Sequence, residues 1–430
     1  MDLSKLINMQ GGIGGEPVEV IVRDHGNEPQ RGIECYSKLS REGVFVFDTL
    51  STPVLPRAME DEKILMKSLV GRGDAVDGTV FDWVYPIGPT YWGQAANDVA
   101  YVKQLHDGGM SDVKVGFVYF DYPFRQEPIE ILKTLAEKEG FELHLYPVPL
   151  PGSDQASVRS KVRRENPDHV IVWMLGGAHV VASKEMKRNG IPMEKYISVN
   201  WLNEVDIANI GNEVAIGIKR GTNVVGGQDV ALYQEIMTEL YGKGQGSGPL
   251  EKTQDVFYNT GLAMYSIVFE AARKAVEIEG LSITAKSYKA GLESLEGYDA
   301  NGLMAPITVT AKDHGGGGKT RIEMWDGKAW VPQTDWISEF TDVVWDVVKK
   351  SSSKYQQQET TKSSGKNRLR LRRAPKTDQA VRLSSMGGIH REPYETTQNC
   401  GVRHSVGGRR DSRVRARPRT DPVRTLFRPQ

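Results

Sequence analysis

The chain has 430 residues and 55 basic against 55 acidic side chains, so its formal charge is zero. That balance hides an asymmetry: from Ser351 onward there are 19 Lys plus Arg against 6 Asp plus Glu, leaving 36 against 49 before it. An acidic body argues against nucleic-acid binding by the folded part, and no apolar run reaches the roughly eighteen residues of a membrane-spanning helix.

In chain order, Leu3, Leu6, Ile7 and Met9 have near-helical spacing, and the glycines of GGIGG end that helix because only glycine takes positive φ freely. Strands are predicted at 18–23, 44–47, 64–66 and 81–85, with helices at 29–41 and 53–61 between them. A helix at 94–106 follows, then strands at 114–119, 142–148, 169–174, 196–199 and 219–225 alternating with helices at 128–139, 154–165, 178–189 and 204–211. Repeated strand–helix units with short apolar strands imply parallel sheets covered by helices on both faces. Three helices, 231–241, 255–279 and 287–295, come next. Strands are then expected at 306–310, 321–325 and 329–332, with Asp326-Gly327-Lys328 as a hairpin turn. From Ser351 the periodicity stops, and the polar, arginine-rich remainder is expected to be disordered, a read-through or frame-shifted end with no selected function. RNA binding by this tail is the alternative.

Catalytic and cofactor signals are missing from the sequence. The eight histidines show no metal-ligand spacing. GGIGG and GGGG lack the strand–glycine–helix context of a dinucleotide site, and there is no Gly-x-Ser-x-Gly elbow. We therefore expect no enzyme, no metal and no cofactor. Cys35 lies in a predicted helix and Cys400 in the tail, and no disulfide between them is expected.

The segment INMQGGIGGEPVEVIVRD resembles the "IN…GGI.G.PVEL…D" block of the branched-chain amino-acid-type solute-binding proteins of ABC transporters. VGFVYFDYPF before Pro128, NPDHVIVWMLGG before the HVVASKEMKRNGI helix, and APITVTAKDHGGGGKTRIEMWDGKAW follow in the same order, so the resemblance covers about 1–350. It implies an α/β protein of two Rossmann-like lobes joined by three crossovers. Lobe 1 would hold 1–88 and 226–306, and lobe 2 would hold 89–225 and 307–345, with 351–430 as the tail. In that family a first strand, most of a first helix and a signal peptide precede GGI.G. The N-terminus here lacks the basic-then-apolar pattern of a signal peptide. A truncated start is therefore expected, with poor folding of lobe 1. The resemblance nevertheless implies a periplasmic protein, mostly monomeric, that binds a solute by hinge closure and presents it to an ABC permease with its ATPase. A ligand-sensing receptor domain of the same fold is the second functional class.

Ligands of parallel α/β sheets sit off the carboxyl ends of the strands. Ser51 and Thr52 follow one strand, where they serve as a plain helix cap or offer groups to a carboxylate. Ser68, Leu69 and Gly71 match the family's second carboxylate-binding loop, beside Arg72, which has Asp74 and Asp77 as alternative partners. In the other lobe, Tyr122 and Phe124 stand where the family places an aromatic over the ligand, although Arg125 replaces the usual glycine. Gly177 permits close backbone approach. Trp201 and Asn203 occupy the loop where amino-acid binders often carry an acid. Without an acid at Asn200 or Trp201, an aromatic, amide or other small polar solute fits better than an aliphatic amino acid. Glu204 and Asp206 are expected to face solvent or cap a helix. Tyr258 is placed either in the cleft or in the core, and Tyr91 and Trp92 in the cleft or the hinge.

Overall fold

The computed structural model describes residues 1–26, 28–49, 52–66, 73–121, 127–372 and 423–426, with backbone alone at 52, 362–372 and 423–426. The strands are β1 (Val20–Arg23), β2 (Val46–Asp48), β3 (Ile64–Met66), β4 (Val84–Tyr85), β5 (Lys114–Phe120), β6 (Glu142–Val148), β7 (His169–Trp173), β8 (Tyr196–Ser198), β9 (Lys219–Thr222), β10 (Arg321–Trp325), β11 (Trp330–Pro332) and β12 (Val423–Leu426). They form a five-stranded sheet of order β1-β12-β2-β3-β4 and a seven-stranded sheet of order β11-β10-β9-β8-β7-β5-β6. Pairing is parallel from β2 to β4 and from β6 to β9, and antiparallel at β10, β11 and β12.

The seven-stranded sheet shows why such short apolar runs suffice. Successive strand residues point to opposite faces. In β7, Ile171 and Trp173 enter one hydrophobic cluster while Val170 and Val172 enter the other. Strand β5 divides the same way, with Val115, Phe117 and Tyr119 on the first face and Val118 and Phe120 on the second. Both faces are therefore apolar and both need helices. The helix α4 (Tyr91–Leu105) and α5 (Pro128–Glu139) cover one face; α6 (Ala156–Glu165), α7 (Gly177–Arg188) and α8 (Glu204–Ile210) cover the other. Helix α5 begins on Pro128 and ends at Gly140, whose φ of 84° closes it, the usual proline-first, glycine-last arrangement.

Around the five-stranded sheet, α1 (Asp2–Met9), α9 (Ala231–Glu239), α10 (Val256–Glu279) and α11 (Ala285–Glu293) pack on one side. Helix α2 (Pro29–Arg41) and the short α3 (Leu55–Glu60) pack on the other. Helices α10 and α11 approach closely at Gly291, where an added Cβ would lie 2.4 Å from the Ala271 carbonyl oxygen.

Three segments cross between the sheets side by side. Gly88 N–H donates to the Gly315 carbonyl at 2.9 Å, Val225 N–H to Leu303 at 2.8 Å and Ala305 N–H to Asn223 at 2.9 Å. The last helix, α12 (Thr341–Arg372), touches both halves. Val343, Val347 and Val348 lie in the core of the seven-stranded half. Further along, Ser352 Oγ donates to Asp77 at 2.7 Å, Ser351 Oγ to Asp74 at 3.0 Å, and Tyr355 packs 4.8 Å from Phe81 beside the five-stranded sheet.

Three expectations need correction. Residues 306–310 form no ladder among the described residues: Ile307 makes an isolated bridge to Tyr298, and beside it only Val309 N–H reaches that segment, at the Leu295 carbonyl. At 81–85 only Val84–Tyr85 pairs. The tail starts later than expected, because α12 runs past Ser351 to Arg372; beyond it only Val423–Leu426 are described, as a short strand. Ser352 and Tyr355 anchor the helix there, and backbone pairing on both sides holds the strand. The chain divides into two compact units, Met1–Gln356 with Asp421–Gln430, and Gln357–Thr420. The second contains the last turns of α12. Cys35 is a free thiol on α2, and Cys400 lies outside the described residues. Among the described residues no helix is long and apolar enough to cross a membrane, and no group of His, Cys, Asp and Glu is placed to hold a metal ion.

Candidate functional site

The carboxyl end of β8 and the starts of α4 and α10 converge where the two halves meet. Trp201 follows β8, Tyr91 opens α4 after the first crossover, and Phe257 stands in the first turn of α10. The Trp201 indole Nε1 donates to Tyr91 Oη at 2.8 Å, and its ring lies 5.8 Å from that of Phe257. Tyr91 is fully buried against Trp173, with ring centroids 5.4 Å apart, so its hydroxyl is a rigid acceptor. Trp201 is half-buried and packs against the core of the seven-stranded half. Next to it, Asn200 Oδ1 is a buried acceptor without a partner among the described residues. Unmet buried acceptors are uncommon and ask for a donor.

The loop that carries Trp201 is held from below. Asn203 caps α8, its Oδ1 accepting from Asp206 N–H at 2.8 Å. Glu204 faces neither solvent nor its own helix end alone: Oε1 meets Arg220 Nη1 at 3.3 Å, and Oε2 accepts from Val256 N–H, at the start of α10, at 2.7 Å. One carboxylate thus ties the loop of the seven-stranded half to the helix that begins beside the five-stranded one. Arg220, on β9, is 1 % exposed. It also donates to Glu323 at 3.1 Å and to the Leu202 carbonyl at 3.0 Å, with its guanidinium 4.0 Å above the Trp330 ring. Asp206, expected to face solvent or cap a helix, stands in the first turn of α8 and is 5 % exposed. Burial, followed by the charges of Asp255 and Glu204, pushes its carboxyl up to about 6.

A second approach between the halves involves Glu127, at the start of α5. Its Oε1 accepts from Gly73 N–H at 2.6 Å, and its carbonyl accepts from Trp92 Nε1 at 2.9 Å. Trp92 lies so close to Gly73 that a Cβ there would be 2.6 Å from the ring, which explains the glycine. A cavity of about 40 Å³ lies at the crossovers, lined by Gly88, Thr90, Asn97, Gly317 and Trp345 among others. It has room for a water molecule or two and not for a solute of amino-acid size.

Of the residues singled out from sequence, Ser51, Ser68, Leu69, Gly71, Arg72, Tyr122 and Phe124 lie outside the described residues, as does the side chain of Thr52. Gly177 starts α7 after β7 and is exposed, with open space where a Cβ would point. Trp201 and Tyr91 are brought together; Asn203 sits two residues on, as the helix cap described above. Tyr258 is turned away from Trp201: its hydroxyl donates to Asp2 at 2.7 Å and its ring packs on Tyr233, against the core of the five-stranded half. The aromatic side chain on Trp201 is that of Phe257, one residue earlier and about 100° round the helix. Asp255, which accepts from Phe257 N–H at 2.8 Å, marks the helix start. That start was visible in sequence, but which side chain of the first turn faces Trp201 was not. Asn200, Arg220, Glu323 and Glu127 were also not recognised as site or support residues, since their partners lie far away in sequence.

The profile of a family described as periplasmic binding protein matches residues 3–329. No curated protein sequence matches. Among solved structures, the chain is similar to one described as an ABC transporter permease from the Pseudomonas fluorescens group, at 28% identity and TM-score 0.78, covering 84% of this chain and 91% of that one. It shares its fold with a branched-chain amino acid ABC transporter protein from Thermus thermophilus with bound valine, at 19% identity and TM-score 0.68, covering 80% and 91%. It also shares it with a solute-binding protein of an ABC transporter from R. palustris in complex with benzoate, at 17% identity and TM-score 0.60, covering 79% and 92%.

Proposed function

The chain belongs to the periplasmic binding protein family, and from that premise we propose that it is the extracytoplasmic solute-binding component of an ABC importer, holding an amino acid or related small polar solute, such as an amide or aromatic acid, in the cleft at Trp201. Proteins of this family bind small solutes, generally without catalysis, and work with ABC transporter components. The observation that carries the reading is the contact of Trp201 with Tyr91 and Phe257 at the junction of the two sheets, off the carboxyl ends of parallel strands. The aromatic surface takes the body of the solute, and Asn200 Oδ1 takes a donor such as an amino or amide group. The benzoate and valine of the two fold relatives bracket this class. Closure of one half on the other around the solute is the expected motion.

The test is isothermal titration and thermal melting of the full chain with valine, its amide, benzoate and a fatty acid. A specific ligand at about a hundred times its Kd adds about 2.7 kcal/mol of stability. Trp201→Ala should weaken that ligand about ten- to a hundredfold, since a buried aromatic anchor commonly contributes that much. Trp201→Phe should recover most of it. A cooperative melt that no solute moves would overturn the reading.

A further inference from the structure

The inward face of α6 breaks the apolar pattern of its half. Its buried residues are Val162 and Arg159, and Arg159 is 0 % exposed. A guanidinium carries only donors, and each of them needs an acceptor where bulk water is shut out. Nη2 donates to Gln155 Oε1 at 2.9 Å. Gln155 is itself held in place, its Nε2 donating to the Gly152 carbonyl at 2.9 Å and to the Ala178 carbonyl, in the first turn of α7, at 3.0 Å. Nε and Nη1 of Arg159 are buried without a partner among the described residues. Burial lowers the guanidinium to about 10, and Tyr196 and Glu185 oppose that shift, so Arg159 stays charged at neutral pH.

The groups around it on α7 and β8 are engaged elsewhere. Tyr196 Oη lies 2.8 Å from His179 Nδ1, and Ser183 Oγ donates to the His179 carbonyl at 2.9 Å. Glu185 Oε1 pairs with Arg188 at 2.6 Å, but its Oε2 is buried and, like the two Arg159 nitrogens, without a partner among the described residues. The cation on α6 and the carboxylate on α7 thus act on each other without a direct bond. A group that joins them has to accept from Arg159 and donate to Glu185. An anion would face the Glu185 carboxylate, and a metal cation would face the guanidinium. Water does both, and buried waters make about three hydrogen bonds to such otherwise unmet groups. We propose that Arg159 and Glu185 form an internal hydration site, in which ordered water accepts from Arg159 Nε or Nη1 and donates to Glu185 Oε2. Helices α6 and α7 are then joined by a solvent-bridged ion pair as well as by apolar packing. Through Tyr196 the site also reaches β8, the strand that leads to Trp201.

A high-resolution crystal structure of the full chain, from crystals soaked in sodium bromide, tests this. Density for water should lie within about 3.2 Å of Arg159 Nε or Nη1, one such water should also touch Glu185 Oε2, and no anomalous bromide peak should appear there. In solution, Arg159→Met and Glu185→Gln should each lower the urea midpoint. Glu185→Gln should lower it at most half as much in the Arg159→Met background as it does alone, because the bridge is already gone. The midpoint difference between the original chain and Arg159→Met should not change when bromide replaces fluoride at fixed ionic strength. A bromide peak at Arg159, or a midpoint difference that grows with bromide, would put an anion at the site and overturn the proposal. So would a direct Arg159–Glu185 bond, a site without water density, or a strictly additive cycle. Should either variant fail to fold, the crystal structure still decides.

Discussion

Arg220→Met isolates the support of the cleft. Arg220 is 1 % exposed and makes bonds to Glu323, to Glu204 and to the Leu202 carbonyl. Methionine keeps the length and the apolar contact with Trp330 but removes the charge. Breaking a buried pair by deleting one partner costs about 3–5 kcal/mol, because the remaining charge is left desolvated. Here the lower end applies. Glu323, also 1 % exposed, retains Arg321, whose Nε lies 2.9 Å from its other oxygen, and Glu204 retains the Val256 N–H. The expected loss is about 3 kcal/mol, measured by urea denaturation followed by tryptophan fluorescence, with the slope of the transition unchanged. Glu323→Gln in the Arg220→Met background should cost at least about 1 kcal/mol less than it does alone, since the two residues act as one unit. An Arg220→Met chain within about 1 kcal/mol of the original, or a strictly additive cycle, would refute the reasoning.

Two further outcomes follow from packing and charge. Gly291→Ala places a Cβ 2.4 Å from a backbone oxygen of α10 and 3.0 Å from the Ala275 nitrogen, so the two helices must separate; the expected cost is about 1–3 kcal/mol despite alanine's better helix propensity, read as a lower urea midpoint. His169 is held down to about 4 by burial and then by the charges of His106 and Lys219. A depressed histidine stabilises the fold above the unfolded value near 6.5, and this stability is lost as pH falls toward 4. Discounted for partial exposure, the loss is about 2 kcal/mol between pH 7 and pH 4. His169→Gln should flatten that part of the stability–pH curve, and an unchanged slope would count against the assignment.

The parts of the fold legible from sequence were those dictated by local pattern. His169–Trp173 is apolar on both faces and reads as a buried parallel strand, and Pro128 with Gly140 brackets α5. The rule that ligands gather at strand ends singled out Trp201. What pattern could not supply was pairing between distant segments. The alternation at 306–310 looks like that of a strand, yet its pairing with the 295–298 segment stops at the single Ile307–Tyr298 bridge and does not extend into a ladder. Val423–Leu426 shows the converse: a short stretch within an arginine-rich region, with no strand signal of its own, pairs with β1 and β2. Arg220 illustrates the same limit at the site. In Lys219–Thr222 it reads as an ordinary charged residue, and only the fold brings Glu204, Glu323 and Trp330 around it.

Helix α12 bears on how the two halves move. Its first turns are buried in one half through Val343, Val347 and Val348, and the turns that follow are fastened to the other through Ser351, Ser352 and Tyr355. A continuous helix is far stiffer than the three crossover segments, two of which, at Gly88 and Gly315, line the 40 Å³ cavity. It therefore acts as a splint laid across the joint. A splint of this kind resists flexion across it, so the closure proposed above would have to run as a twist about the helix. The solute would be trapped by that rotation, and the surface offered to a membrane partner would turn with it.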